Sequence, residues 1–358
     1  MKPPPWISAA LFSTLATTSA YAQSSVTLFG AIDTGLTYVS NVGGKSNIYA
    51  QDGAQRANAL GIQGIEDLGA GRSAVFRLVT GFSLNTGALS TANQIYKESW
   101  VGLRDSEIGQ ISFGKQYDFM LDMEKYYAFL ETGILAEQNA DIDRAGGDWV
   151  TNTVQYRSRD FGGMKFGAMY GFGSTDTLST SLGRQYSFLA SYDHGPFSVA
   201  LTTVAMNGSP LTTTAVGLPS VLGVNVNKTT SINVDRKIIA AGMSYKIGAF
   251  TALGMYTHTH LSYAAESAVD QVYRIGFDFQ ATPALQFSAM EALDHYEDAK
   301  WFLTNLAAIY SLSKRTNTYI NLAYEKADGA SSYAAIRKIG ASSTPTQIVV
   351  RAGIVLKF

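Results

Sequence analysis

The chain has 358 residues, no cysteine, 34 glycines, 20 tyrosines and a formal net charge of −1. Without cysteine a disulfide-stapled scaffold is excluded, and a charge balance this close to zero gives no electrostatic case for nucleic acid. No apolar run beyond the N-terminus approaches the twenty or so residues of a membrane-spanning helix, and no Pro/Ser-rich linker divides the chain.

The first segment reads as a secretory signal. Lys2 supplies one positive charge, residues from Trp6 to Thr18 are mostly apolar and small, and Ala20-Tyr21-Ala22 forms a small-x-small cleavage pattern. Residues 1–22 are therefore expected to be removed, leaving residues 23–358 as one exported domain.

From there a period of two recurs to the C-terminus. Val26, Leu28 and Ile32 oppose Thr27 and Asp33, and Phe76 and Leu78 flank Arg77. Val154 and Tyr156 oppose Gln155 and Arg157, while Phe166, Ala168, Tyr170 and Phe172 oppose Lys165 and glycines. Tyr273, Ile275, Phe277 and Phe279 oppose Arg274, Asp278 and Gln280. In the last stretch Ile348, Val350, Ala352, Ile354, Leu356 and Phe358 oppose Arg351 and Lys357. Alternation of this kind marks strands with one apolar face.

Short connectors rich in Gly, Asp, Ser or Pro fall at Asp67 to Gly71, Asp105 to Gly109, Asp160 to Gly163, Asp193 to Pro196, Ile247 to Ala249, Thr282 to Ala284 and Ser313 to Thr316. Longer polar stretches lie between them: Val39 to Gln55, Leu84 to Asn93, Tyr117 to Asp148, Ser174 to Gly183, Asn207 to Asp235, His260 to Asp270, Asp294 to Lys300 and Lys326 to Thr346. Short turns alternating with long loops predict an all-β fold, a 16-stranded antiparallel transmembrane barrel with both termini on the short-turn side and an aqueous lumen. A soluble sandwich would leave edges to protect, and its apolar faces would meet a core. Here Trp100, Trp149, Tyr156, Tyr170, Phe172, Tyr310, Tyr324 and Phe358 sit near strand ends, as in the aromatic girdles of a barrel in lipid.

The ordered motifs resemble the trimeric 16-stranded general porins of β-proteobacteria, the neisserial and Burkholderia-type group. They are Ser25-Val26-Thr27-Leu28-Phe29-Gly30-Ala31-Ile32-Asp33-Thr34-Gly35, Gly64-Ile65-Glu66-Asp67-Leu68-Gly69, Trp100-Val101-Gly102-Leu103, Phe113-Gly114-Lys115-Gln116-Tyr117, Phe161-Gly162-Gly163, Gly167-Ala168-Met169-Tyr170-Gly171-Phe172-Gly173 and Tyr310-Ser311-Leu312-Ser313-Lys314-Arg315-Thr316. The resemblance covers Ser25 to Phe358. It implies an outer-membrane homotrimer, surrounded by lipid, that passes small hydrophilic solutes and ions. It also implies that Phe358 is the terminal aromatic presented to the barrel-assembly machinery, and that the long loop from Tyr117 to Asp148 folds inward as a constriction.

That loop is net acidic, and Glu131, Glu137, Asp141 and Asp143 are its candidates for the narrow zone. A basic wall should face it, because opposed charges set a transverse field in the pore. Arg77 and Arg157 point inward by alternation, as does Lys97 with parity opposite to Trp100, and Lys115 lies where the family often has an arginine. Two departures bear on selectivity: the third-loop signature Pro-Glu-Phe-Gly-Gly is absent, and Gln63 occupies a position that is often basic in the family.

Enzyme chemistry finds little support. His258 and His260 are two metal ligands without a third, Gly43-Gly44-Lys45-Ser46 lacks the first glycine of a phosphate loop, and no nucleophile elbow is present. Asp294-His295-Tyr296-Glu297-Asp298 reads as a solvated loop. No cofactor and no metal is expected. The alternative function is a barrel of mainly structural or adhesive role, its pore blocked.

Overall fold

The computed structural model describes residues 24–90, 94–128, 132–173, 182–329 and 332–358. Among these residues sixteen staves close into one antiparallel barrel. They are β1 (Ser25–Val42), β2 in two segments (Lys45–Asp52 and Ala59–Gly69), β3 (Arg72–Gly81), β4 (Glu98–Asp105), β5 (Gly109–Tyr117), β6 (Trp149–Ser158), β7 (Met164–Phe172) and β8 (Arg184–His194). Then follow β9 (Phe197–Thr212), β10 (Ser231–Ile247), β11 (Phe250–Tyr263), β12 (Glu266–Gln280), β13 (Leu285–Tyr296), β14 (Ala299–Ser311), β15 (Thr316–Asp328) and β16 (Thr346–Lys357). Residues of the expected signal, 1–22, lie outside the described residues.

Closure is made by the two terminal staves. Ala31 through Val39 of β1 pair with Lys357 through Val349 of β16, and Gly30 and Phe358 exchange backbone hydrogen bonds of 2.9 and 3.0 Å. No ladder edge is left in the wall, which is what a hydrocarbon environment requires of a sheet.

The alternation read in the sequence sets the two faces. In β16, Ile348, Val350, Ile354, Leu356 and Phe358 are exposed outward while Val349, Arg351 and Val355 are buried inside. In β12, Tyr273, Ile275 and Phe277 are exposed while Asp270, Val272 and Arg274 are buried. The outward residues are apolar because they meet lipid.

All seven expected short turns join strands at the predicted places. Three of the expected long loops do not exist as loops. β1 continues to Val42 and meets β2 at Lys45, β11 meets β12 across residues 264–265, and β13 meets β14 across residues 297–298. The Asp294 cluster is thus largely strand, with Asp294 and Tyr296 buried inside the barrel. In these stretches Gly, Ser, Asn, Asp and Glu break up the apolar alternation where the strands rise past the bilayer, so they read as loop.

The third long loop folds into the lumen, as its described residues 118–128 and 132–148 show. Its 3-10 helix, Phe119–Tyr126, begins at Asp118, whose carboxylate accepts from the Met120 N–H at 3.1 Å. Phe119, Met120, Met123 and Tyr126 are fully buried against Val204, Ile238, Ala240, Leu253, Met255 and Met290 of β9 to β13. Gly167 and Gly242 make room for the helix, since a Cβ there would fall within 2.4 Å of the Phe119 and Tyr126 rings. Farther along, Arg236 donates to the carbonyls of Asp141 and Ile142 at 3.1 and 3.0 Å. The loop also touches the break in β2, where the Ile134 N–H donates to Ala54 O at 2.9 Å.

Two other loops follow it inward. Residues 213–230 carry Val216, Val221, Leu222 and Val226 into a second buried cluster with Ile142, Leu261 and Trp301. Residues 332–345 join them: Tyr333 N–H donates to Gly217 O at 3.0 Å, and its carbonyl accepts from the Trp301 indole at 3.0 Å. The β9 to β13 side of the lumen is therefore filled at the level of these loops, and open space remains between the third loop and staves β1 to β5.

Candidate functional site: the lumen beside the third loop

A cavity of about 600 Å³ lies between the third loop and the wall. The wall contributes Phe29, Arg77, Val79, Lys97 and Glu98, the break in β2 contributes Ala54 and Arg56, and the inserted loops contribute the opposite side.

Arg77 faces inward, with Val75 and Val79 on the same face of β3 buried. Its guanidinium donates to Gln63 Oε1 at 2.7 Å and to Glu98 Oε2 at 3.2 Å, and it lies 4.3 Å over the Phe29 ring. A guanidinium forked between two oxygens and stacked on a ring is held in one orientation. Gln63, where a basic residue was looked for, thus serves as an acceptor that positions Arg77. Lys97 lies one residue before β4, so strand parity does not bind it. Its side chain crosses over Gly81 and sets Nζ 5.1 Å from the Trp149 ring centroid.

On the loop side, Glu137 and Asp141 line the same cavity, and Arg337 from residues 332–345 pairs with both, at 2.8 Å to Asp141 Oδ2. Arg144 pairs with Asp148, and its guanidinium lies 3.6 Å from Asp141 Oδ2. Burial pushes the Asp141 carboxyl up to about 7 against the pull of Arg144. Burial also pushes Glu124 up to about 8, with Arg56 opposing and Asp122 reinforcing the shift. Lys97 and Lys338 are both shifted down, first by burial, then in Lys97 by Lys338 and in Lys338 by Arg337. These are the directions expected of charges withdrawn from bulk water beside like charges. Lys338 also holds a left-handed backbone, φ 58°, a conformation that an L-residue adopts at a cost.

The sequence-derived candidates divide as follows. Arg77, Lys97, Glu137 and Asp141 come together around this cavity. Asp143 instead reaches the far wall, pairing with Arg274 at 2.7 Å with both side chains fully buried and accepting from Thr257 at 2.8 Å. Arg157 is on the inner face but clamps the loop helix, bonding both oxygens of Asp122 at 2.9 Å and stacking on Phe119 at 4.6 Å. Lys115 stands off the cavity: Ser112 and Gln116 take the inner face of β5, and the Lys115 ammonium donates to Gln94 Oε1 and Tyr96 O. Glu131 lies outside the described residues. Phe358 caps the closing ladder, its ring against Gly30.

Residues that sequence reasoning did not single out include Arg56, Glu98, Glu124, Arg144, Arg337 and Lys338. Arg337 and Lys338 arrive from the last long loop, and no periodicity announces that such a loop turns inward. Trp100 and Trp149, expected in the aromatic girdle, belong to the lumen. Trp100 donates to the Glu98 carboxylate at 3.5 Å, and Trp149 packs on Tyr117 with centroids 5.0 Å apart. Among the described residues no cluster of three or more His, Asp or Glu side chains is arranged to hold a metal ion.

Comparison with known proteins agrees with this geometry. A family model described as Gram-negative porin matches residues 8–330. Outer membrane porin protein 32 of Delftia acidovorans is 30% identical over 359 residues, covering 93% of this chain and 95% of that one. An outer membrane porin protein of Bordetella pertussis is 27% identical over 220 residues, 53% of this chain and 56% of that protein. The structure described as the anion-selective porin from Comamonas acidovorans superposes with a TM-score of 0.79 at 26% identity, covering 94% of this chain and all of that one. A closed lipid-facing wall, a loop-narrowed aqueous path and these likenesses together establish that the chain belongs to the Gram-negative porin family, outer-membrane channels for passive diffusion of small hydrophilic solutes and ions.

Proposed function

We propose that this porin prefers anions, with its narrowest field set by Arg77 and Lys97 on the wall against Glu137 and Asp141 on the third loop, reinforced by Arg337 and Lys338. The reading is carried by one observation: of the five carboxylates around the cavity all but Glu124 are held in ion pairs, while Arg56, Lys97 and Lys338 are in none among the described residues. Glu98 is held by Arg77, Glu137 and Asp141 by Arg337, and Asp148 by Arg144. Lys97 and Lys338 have no ion pair among the described residues, and Glu124 holds its proton up to about pH 8. An unmatched positive charge in a low-dielectric constriction raises the local anion concentration and repels cations. The similar Comamonas acidovorans structure is described as anion-selective. Arg157, Lys115 and Asp143 enter this reading as supports of the loop and wall, outside the narrow zone.

The same reading includes export with removal of residues 1–22, Phe358 as the signal to the barrel-assembly machinery, and assembly as a homotrimer; these follow the resemblance to the family.

The test is a planar-bilayer reversal potential under a KCl gradient. The unaltered channel should show chloride more permeant than potassium, and Arg77→Gln with Lys97→Gln should lower the permeability ratio several-fold. A reversal potential on the potassium side, or no response to the double substitution, would refute the assignment. Conductance steps in groups of three would accord with the trimer.

A further inference from the structure

We propose that the cavity is a resting site for a small aromatic carboxylate of the benzoate class, which makes such anions preferred passengers; this rests on the anion preference argued above. Two features of the lining meet at one place. Lys97 and Lys338 supply two ammonium groups that form no ion pair among the described residues. Beside them Tyr117, Leu121, Ile134 and Trp149 supply an apolar surface inside what would otherwise be a wet tube. The Tyr117 and Trp149 rings are tilted by 45° with centroids 5.0 Å apart, and Lys97 Nζ sits 5.1 Å from the Trp149 centroid. Charge and ring surface are thus within one small molecule's length of each other.

A hydrated inorganic anion uses only the lysines, because its water shell gains nothing from Leu121 or Trp149. A carboxylate bound to a flat ring uses both: its oxygens bridge the ammonium groups and its ring removes apolar surface from water. Of the carboxylates that share the lining, Asp141 attracts Lys338, but it and the others are already engaged or neutral. Glu137 and Asp141 are engaged by Arg337 and Asp148 by Arg144, and burial keeps Glu124 protonated near neutrality. A volume of about 600 Å³ accommodates one such ligand together with water.

The experiment measures block of the chloride current by sodium benzoate and by sodium acetate, on the unaltered protein in planar bilayers, after the reversal potential in KCl has been recorded. Benzoate should half-block at a concentration about tenfold below that of acetate, the ratio expected from burying a ring on Tyr117 and Trp149. Lys338→Gln should weaken block by both anions, and Trp149→Leu should bring benzoate down to the level of acetate. Equal half-blocking concentrations for benzoate and acetate in a channel that favours chloride would overturn the site while leaving the anion preference standing. A channel that favours potassium would instead overturn the preference itself, so the two failures are read separately. The comparison of ligands needs no variant and stands even if Trp149→Leu does not assemble.

Discussion

At the scale of single residues, the titration of the cavity predicts how selectivity responds to pH. Asp141 gains negative charge as pH passes about 7 and Glu124 as it passes about 8, while Lys97 and Lys338, whose pKa values are shifted down, lose positive charge ahead of an ordinary lysine. These changes act in the same direction, so the preference for chloride over potassium should fall steadily from about pH 6 to about pH 10. Glu124→Gln should flatten the part of that curve centred near 8, a result readable from reversal potentials at fixed salt. Glu124 has a folded pKa above its ordinary value of 4.5, so its contribution to stability is full below pH 4.5 and is lost as pH rises through about 8. Of these residues Lys97 and Asp141 were visible in the sequence, whereas Glu124 and Lys338 were not. Their importance comes from burial by other loops, and a single sequence does not carry that information.

At the scale of elements, strand and loop are coupled by fit. The helix Phe119–Tyr126 lies on β7 and β10 because Gly167 and Gly242 leave room for its aromatic rings. Gly242→Ala places a methyl 2.4 Å from the Tyr126 ring, which has no free space to retreat into. The expected cost is about 1–3 kcal/mol, typical of an overpacked contact. The helix should move toward the open side, so heat-modifiability on gels should shift to lower temperature and single-channel conductance should drop. Strand positions were legible here because lipid on one face and water or polar lumen on the other impose a period of two that survives composition. Loop positions were less so: the hairpin between β11 and β12 looked like a long loop because Ser262, Glu266, Ser267 and Asp270 interrupt the apolar alternation there. Lys115 shows the same limit from the other side. Its motif fitted the family, but the parity of Ser112 and Gln116 turned it away from the lumen.

At the scale of the molecule, the barrel is asymmetric inside while uniform outside. Staves β1 to β5 border the aqueous path with Arg77, Glu98 and Gln63, and staves β9 to β13 present Val204, Ile238, Leu253, Met255 and Met290 to the third loop. The even number of staves, the closure and the position of every short turn followed from periodicity and turn chemistry. Which side of the interior would be dry did not, because inward-facing valines and methionines read like gaps in the polar face until the loop that covers them is placed.

That dryness makes the third loop a plug seated on an oily seat, not a gate hung in a wide pipe. Excising residues 119–147 would expose the valine and methionine stripe to the bore, and a surface of that kind sheds water. The shortened protein should therefore fail to gain the conductance that its enlarged cross-section suggests. It should bind a hydrophobic dye such as ANS along the uncovered seat and lose thermal stability, whereas a clean, high-conductance, stable channel would show that the seat is wettable after all.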